Sequence, residues 1–110
     1  VKRIHAEEFE EAFNNNPIII DVRKPGEFAA EHVDGAINVP LDYINEEMAQ
    51  IPKNDAFILH CAGGYRSMIA ASILKSRGYS NFLEVFGGYN AIAKTSVPKT
   101  DFVCPSKLKK

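Results

Sequence analysis

The sequence predicts an α/β domain on a mostly parallel sheet of about five strands flanked by helices, and three observations carry that prediction. Strand-like and helix-like segments alternate along the 110 residues. Two runs, Ile18-Ile19-Ile20 and Phe57-Ile58-Leu59, are continuously apolar, the pattern of strands covered on both faces. The chain is also the length of one domain, with 45% hydrophobic and 25% charged residues, enough for a single core without disulfides or metal.

The elements follow in order. Lys2 to His5 reads as a short strand. Ala6 to Asn14 is helical, with Phe9, Ala12 and Phe13 on one face, and Asn14-Asn15-Asn16-Pro17 ends it. The strand Ile18 to Ile20 runs out at Asp21-Val22-Arg23. Pro25 suits the first turn of a helix that continues through Glu27 to Glu31. Asp34-Gly35 is a turn, and Ala36 to Val39 is a short strand stopped by Pro40. Tyr43 to Gln50 reads as one helix that stops near Pro52. A buried strand, Ala56 to His60, leads into the loop Cys61 to Arg66. Ser67 to Arg77 is a helix, apolar at Met68, Ile69, Ala71, Ile73 and Leu74, with Gly78 placed to cap it. Phe82 to Val85 is the last strand, Gly87-Gly88 a turn and Tyr89 to Lys94 a final helix. Residues 95–110 are expected to form a tail across the surface of the one domain, 1–110.

Composition removes several function classes. A formal net charge of −1 gives no case for nucleic acid or an anionic membrane, and Lys107, Lys109 and Lys110 read as a solvated tail. No apolar stretch approaches the length of a membrane span, and Val-Lys-Arg-Ile-His at the start is not a signal peptide, so a cytoplasmic location is expected. The start at Val rather than Met fits an excised domain or a processed product. Cys61 and Cys104 form no metal-ligand spacing, and His5, His32 and His60 are scattered, so no metal and no cofactor is expected.

The segment that carries chemistry is Phe57 to Ser67, a buried strand running through a tight loop into a helix. Ligands of open α/β sheets sit beyond the carboxyl ends of strands, where Cys61 falls. Unpaired N–H groups at the helix start and around the loop attract an anion. Gly63 and Gly64 let the backbone curve around the sulfur, and Arg66 adds a full positive charge. Each factor favours thiolate over thiol, so the Cys61 pKa is expected to be depressed and Cys61 to act as a nucleophile. A lone cysteine after a strand is usually a small packed hydrophobe; the glycines, arginine and helix start around it are what argue otherwise.

Here the sequence resembles the rhodanese family. Cys61-Ala62-Gly63-Gly64-Tyr65-Arg66 followed by Ser67 is similar to the family's six-residue loop, which opens on the catalytic cysteine. Asp21-Val22-Arg23 resembles its Asp-Val-Arg element, and Glu27 through His32-Val33-Asp34-Gly35-Ala36-Ile37-Asn38-Val39-Pro40 its Glu…His-Ile-x-Gly-Ala-x-Asn-x-Pro element. Arg77-Gly78-Tyr79 and Gly87-Gly88-Tyr89 resemble its closing elements. The resemblance covers nearly the whole chain and implies a three-layer fold and sulfur transfer in two half-reactions. Cys61 would take a sulfane sulfur from thiosulfate or glutathione persulfide and pass it to a thiol or cyanide acceptor. Backbone N–H groups from Ala62 through Ser67 would hold the persulfide, and Arg66 would attract the anionic donor. Related phosphatases and arsenate reductases carry a loop one residue longer, so sulfur transfer is preferred, with such an enzyme or a non-catalytic regulatory module as the alternatives. The tail around Cys104 resembles the end of rhodanese domains fused behind metallo-β-lactamase-fold hydrolases, which implies a fused or partner hydrolase domain.

The remaining polar residues have plainer expectations. Asp21 and Arg23 are expected to buttress loops, near enough to approach the site. His60 faces away from Cys61's side of the sheet, because successive strand residues alternate, and is expected to be a satisfied structural histidine. Glu27 is expected to pair locally, His32 to belong to the turn, Tyr65 to narrow the pocket, and Cys104 to be a tail residue.

Overall fold

The computed structural model describes residues 2–51, 53–63 and 65–100. Pro52, Gly64, Cys104 and the three C-terminal lysines lie outside the described residues. Five strands form one sheet: β1 (Lys2–Ile4), β2 (Ile18–Asp21), β3 (Ile37–Asn38), β4 (Phe57–His60) and β5 (Phe82–Val85). Their order is β1-β5-β4-β2-β3, and every pair is parallel. Helices α1 (Ala6–Phe13), α2 (Pro25–Ala30), α3 (Ile44–Glu47), α4 (Tyr65–Ser76) and α5 (Gly88–Ile92) connect and cover it.

Strand alternation sorts the core into two layers. Ile20, Phe57, Leu59 and Phe82 pack with Ala70, Ala71 and Leu74 of α4, and Cys61 joins them. Ile19, Ile58 and Val85 pack on the other face with Phe9 of α1 and Ile92 of α5. β4 lies at the centre with all four residues buried, which is why its sequence shows no polar alternation. Among the described residues no helix is long and apolar enough to cross a membrane.

Two expectations change. The segment Tyr43 to Gln50 is not one helix but a 3-10 turn (Leu41–Tyr43), α3, and a second 3-10 turn (Met48–Gln50). The Tyr79 hydroxyl donates to the carbonyls of Met48 and Ile51, so those carbonyls are taken by the core rather than by a continuing helix. Next, α4 begins at Tyr65, two residues earlier than expected, so Tyr65 and Arg66 form its first turn rather than the loop. Its buried face is Ser67, Ala70, Ala71 and Leu74, whereas Met68 and Ile69 stay exposed. The small residues let α4 lie close to the sheet, and apolar residues all round it hid that face in the sequence. Residues 95–100 form a strap on the domain. Val97 is buried, Val33 and Lys99 form an antiparallel bridge, and His32 and Thr100 exchange hydrogen bonds. Gly78, at φ +93°, caps α4 as expected.

The Gly87-Gly88 turn brings α5 onto the end of β4. Gly88 has φ +57°, and a Cβ there would lie 2.4 Å from the Cys61 carbonyl oxygen. That contact leaves room for hydrogen only. The Tyr89 N–H donates to the Cys61 carbonyl at 2.5 Å and the Asn90 N–H to the Ala62 carbonyl at 2.9 Å. Gly88→Ala is therefore expected to lower stability by about 2 kcal/mol or more, read as the midpoint of urea unfolding. Gly26→Ala, where a Cβ meets nothing within 4 Å, should be neutral or stabilising by a few tenths of a kcal/mol or more, and a similar loss at both positions would contradict this account.

Candidate active site

The site is built where β4 ends. Cys61 follows the strand directly and is fully buried, with its side chain on the α4 face of the sheet. Ser67, in the first turn of α4, is also fully buried, and its Oγ lies 3.6 Å from Cys61 Sγ. Behind Ser67 stands Glu84 of β5, 2% exposed, which accepts the Ser67 hydroxyl proton at 2.5 Å and a hydrogen bond from Arg3 Nε at 3.0 Å. Neither Glu84 nor Arg3 was expected at the site. The available signal was a carboxylate in a strand whose neighbours are all apolar.

Arg66 does not stand free as a positive charge. Its guanidinium donates to both carboxylate oxygens of Glu27, at 2.7 and 3.3 Å, tying α4 to α2 across the mouth of the loop. The pair is bidentate, and it holds the Glu27 carboxyl below the usual range while raising Arg66. Glu27 thus bonds at long range to Arg66 as well as locally to the Lys24 N–H, so the expectation of a purely local partner is corrected. The sequence distance of 39 residues hid the pair. Tyr65, 80% exposed, does not wall the sulfur in; it lines a neighbouring surface pocket of about 360 Å³ with Gly63, Met68 and Phe86.

The opposite face of β4 carries a second polar cluster. Asp21 is fully buried and takes a bidentate ion pair from Arg23, with Nε and Nη2 at 2.9 and 2.8 Å from Oδ2. Arg23 also donates to the Glu31 carbonyl and stacks over Tyr89, 4.3 Å from its ring centre. The Tyr89 hydroxyl donates to the Glu31 carboxylate, and burial and that carboxylate raise its pKa. Asp21 and Arg23 therefore brace α2, α5 and the end of β2 rather than meeting the sulfur. His60 sits on this same face, as alternation requires. Its Nδ1 faces the Cys61 carbonyl at 3.1 Å, which assigns the proton to Nδ1. Its Nε2 makes no hydrogen bond and lies 3.8 Å from Asp21 Oδ2. The histidine is thus only half satisfied, against expectation. Burial lowers its pKa, so it is neutral and the approach to Asp21 is not an ion pair. His32 belongs to its turn as expected, stacked on Phe28 with Nδ1 at 2.6 Å from the Phe28 carbonyl. Among the described residues no group of three His, Cys, Asp or Glu side chains is close enough to hold a metal ion.

The arrangement can do nucleophilic chemistry at sulfur. It presents one thiol at the junction of a central strand and a twelve-residue helix whose first N–H groups have no partner within the helix. Comparison with known proteins places the chain in a family. Residues 5–95 match the family model described as Rhodanese-like domain. The chain is 42% identical over 80 residues to the thiosulfate sulfurtransferase PspE of Escherichia coli, covering 71% of this chain and 76% of that protein. It is 38% identical over 82 residues to a probable adenylyltransferase/sulfurtransferase, MoeZ, of Mycobacterium tuberculosis, but spans only 21% of that protein's length. The crystal structure of a rhodanese-related protein from Thermoplasma volcanium superposes with a TM-score of 0.81 at 25% identity, covering 91% of this chain and 98% of that one. With the five-stranded parallel sheet, the Cys61 junction and this match over most of its length, the chain belongs to the rhodanese-like domain family, among relatives named as sulfurtransferases.

Proposed function

We propose that the protein transfers a sulfane sulfur, from thiosulfate or a persulfide such as glutathione persulfide, to a thiol or cyanide acceptor through a persulfide on Cys61. The observation that carries this reading is the placement of Cys61: a buried thiol at the end of the central strand, directly before the loop and first turn of α4. In the first half-reaction the Cys61 thiolate attacks the outer sulfur of thiosulfate. A new S–S bond forms, the donor's S–S bond breaks, and sulfite leaves with the bonding electron pair. In the second, the acceptor's lone pair attacks the outer sulfur and Cys61 leaves as thiolate. Backbone N–H groups from Ala62 to Ser67 hold the outer sulfur as an anion. The route needs neither metal nor cofactor.

Arg66 has two tasks in this reading. It fixes the loop mouth through Glu27, and its guanidinium, 30% exposed, faces the incoming anion.

Intact-protein mass after incubation with thiosulfate tests the covalent step. Wild type should gain one sulfur atom that cyanide removes, and Cys61→Ser should gain none while keeping its fold. A persistent adduct on the serine variant would overturn the assignment of Cys61. Arg66→Ala should raise KM for thiosulfate about tenfold or more, and less for an uncharged polysulfide donor. Equal losses for both donors would leave Arg66 with only its structural task.

A further inference from the structure

Glu84 is a buried carboxylate inside a strand, on the same face of the sheet as Cys61, and sulfur transfer as described leaves it without a role. It has two partners. Oε1 accepts from Arg3 Nε at 3.0 Å, and Oε2 accepts from the Ser67 hydroxyl at 2.5 Å. Arg3 is the register partner of Glu84 on the neighbouring edge strand β1, and its side chain is 42% exposed.

A serine hydroxyl has one proton. With that O–H directed at Glu84, Ser67 Oγ can offer Cys61 only a lone pair, and the 3.6 Å contact runs from the thiol to the serine. A thiolate would need the reverse, an O–H pointing at sulfur. The two states differ by rotation of one hydroxyl and by the sulfur's own proton, which leaves to solvent, and Glu84 biases the rotation. We propose that Glu84 is a positioning residue of the transfer reaction: by claiming the Ser67 proton it makes Ser67 an acceptor toward Cys61 and holds the resting cysteine as a thiol. This rests on the sulfur-transfer reading. Nucleophilic attack then requires Ser67 to turn from Glu84 to sulfur, and Arg3 sets how readily Glu84 gives it up.

The other charged groups around the site are matched elsewhere. Arg66 on α4 is paired with Glu27 on α2, and Asp21 at the end of β2 with Arg23. His60 of β4 is neutral through burial, and Tyr89 of α5 keeps its proton beside Glu31. A substitution at Glu84 leaves these pairs in place.

The test is the rate of Cys61 alkylation by iodoacetamide across pH, in a Cys104→Ser background and followed by mass spectrometry. In Glu84→Gln, Arg3 Nε donates to the amide oxygen, so the amide N–H donates to Ser67 Oγ and the serine O–H turns to donate a hydrogen bond to the sulfur. Alkylation should become about tenfold faster at neutral pH, with the whole profile displaced toward acid. In a Ser67→Ala background the same substitution should change the rate by less than about twofold. Arg3→Met, which leaves the carboxylate without its cation, should slow alkylation, and it carries the test if Glu84→Gln does not fold. An unmoved or alkaline-shifted profile in Glu84→Gln, undiminished acceleration without Ser67, or faster alkylation in Arg3→Met would overturn the proposal. Sulfur loading is read separately. A wild type that takes up no sulfur overturns the transfer reading and with it any role of Glu84 in transfer. A loaded wild type with an unmoved Glu84→Gln profile overturns the Glu84 assignment alone.

Discussion

Much of this molecule is organised by one close approach, that of the Gly88 backbone to the peptide group joining Cys61 to Ala62. A strand that runs out into a loop leaves the carbonyls just beyond it without sheet partners, and a buried carbonyl without a donor is costly. Here the first N–H groups of α5 satisfy the Cys61 and Ala62 carbonyls. Because the hydrogen bonds are made by backbone to backbone, the position of the Cys61 main chain is independent of any side chain's rotamer. The condition is a left-handed residue with no Cβ at position 88. The Gly87-Gly88 pair therefore belongs to the site as much as to the fold.

The two faces of β4 divide the remaining work. On one face, Asp21, Arg23, Glu31 and Tyr89 form a buried frame that locks α2 and α5 to the sheet. Such an ion pair contributes little net stability over a well-packed apolar pair, but losing one partner strands the other in the core at a cost of several kcal/mol. Its effect is to make the loop ends around Cys61 hard to misplace. On the other face, Cys61, Ser67, Glu84 and Arg3 form a chain of hydrogen bonds from the sulfur to the protein surface. One cluster fixes geometry; the other links the sulfur to the surface. The alternation of His60 and Cys61 along a strand keeps them apart.

Much of the fold was legible because the features that set it are local. Continuous apolar runs mark Ile18 to Ile20 and Phe57 to Leu59 as two-sided strands, Gly78 marks the end of α4, and Phe82 to Val85 matches β5 residue for residue. The misread parts are those where tertiary partners override local pattern. Tyr79 takes the carbonyls that would have extended α3, and α4 buries Ser67 and Ala70 while exposing Met68 and Ile69. Residues 95–100, expected only as a surface tail, have no periodicity to read; their contacts come from His32, Asp34 and the Val33–Lys99 bridge.

The sequence by itself determined the α/β class, the number of strands, and Cys61 as the residue to watch, because a thiol between a two-sided strand and a glycine-rich helix entry is a local pattern. Only the tertiary structure decided how that thiol is surrounded. Glu27 is 39 residues from Arg66, Glu84 is 17 from Ser67, and Arg3 is 81 from Glu84. The parallel order β1-β5-β4-β2-β3 brings these residues together through crossovers that no local spacing encodes. Burial then decides their chemistry: the same carboxylate that would be solvated on a surface strand here accepts a hydrogen bond from a serine facing the sulfur.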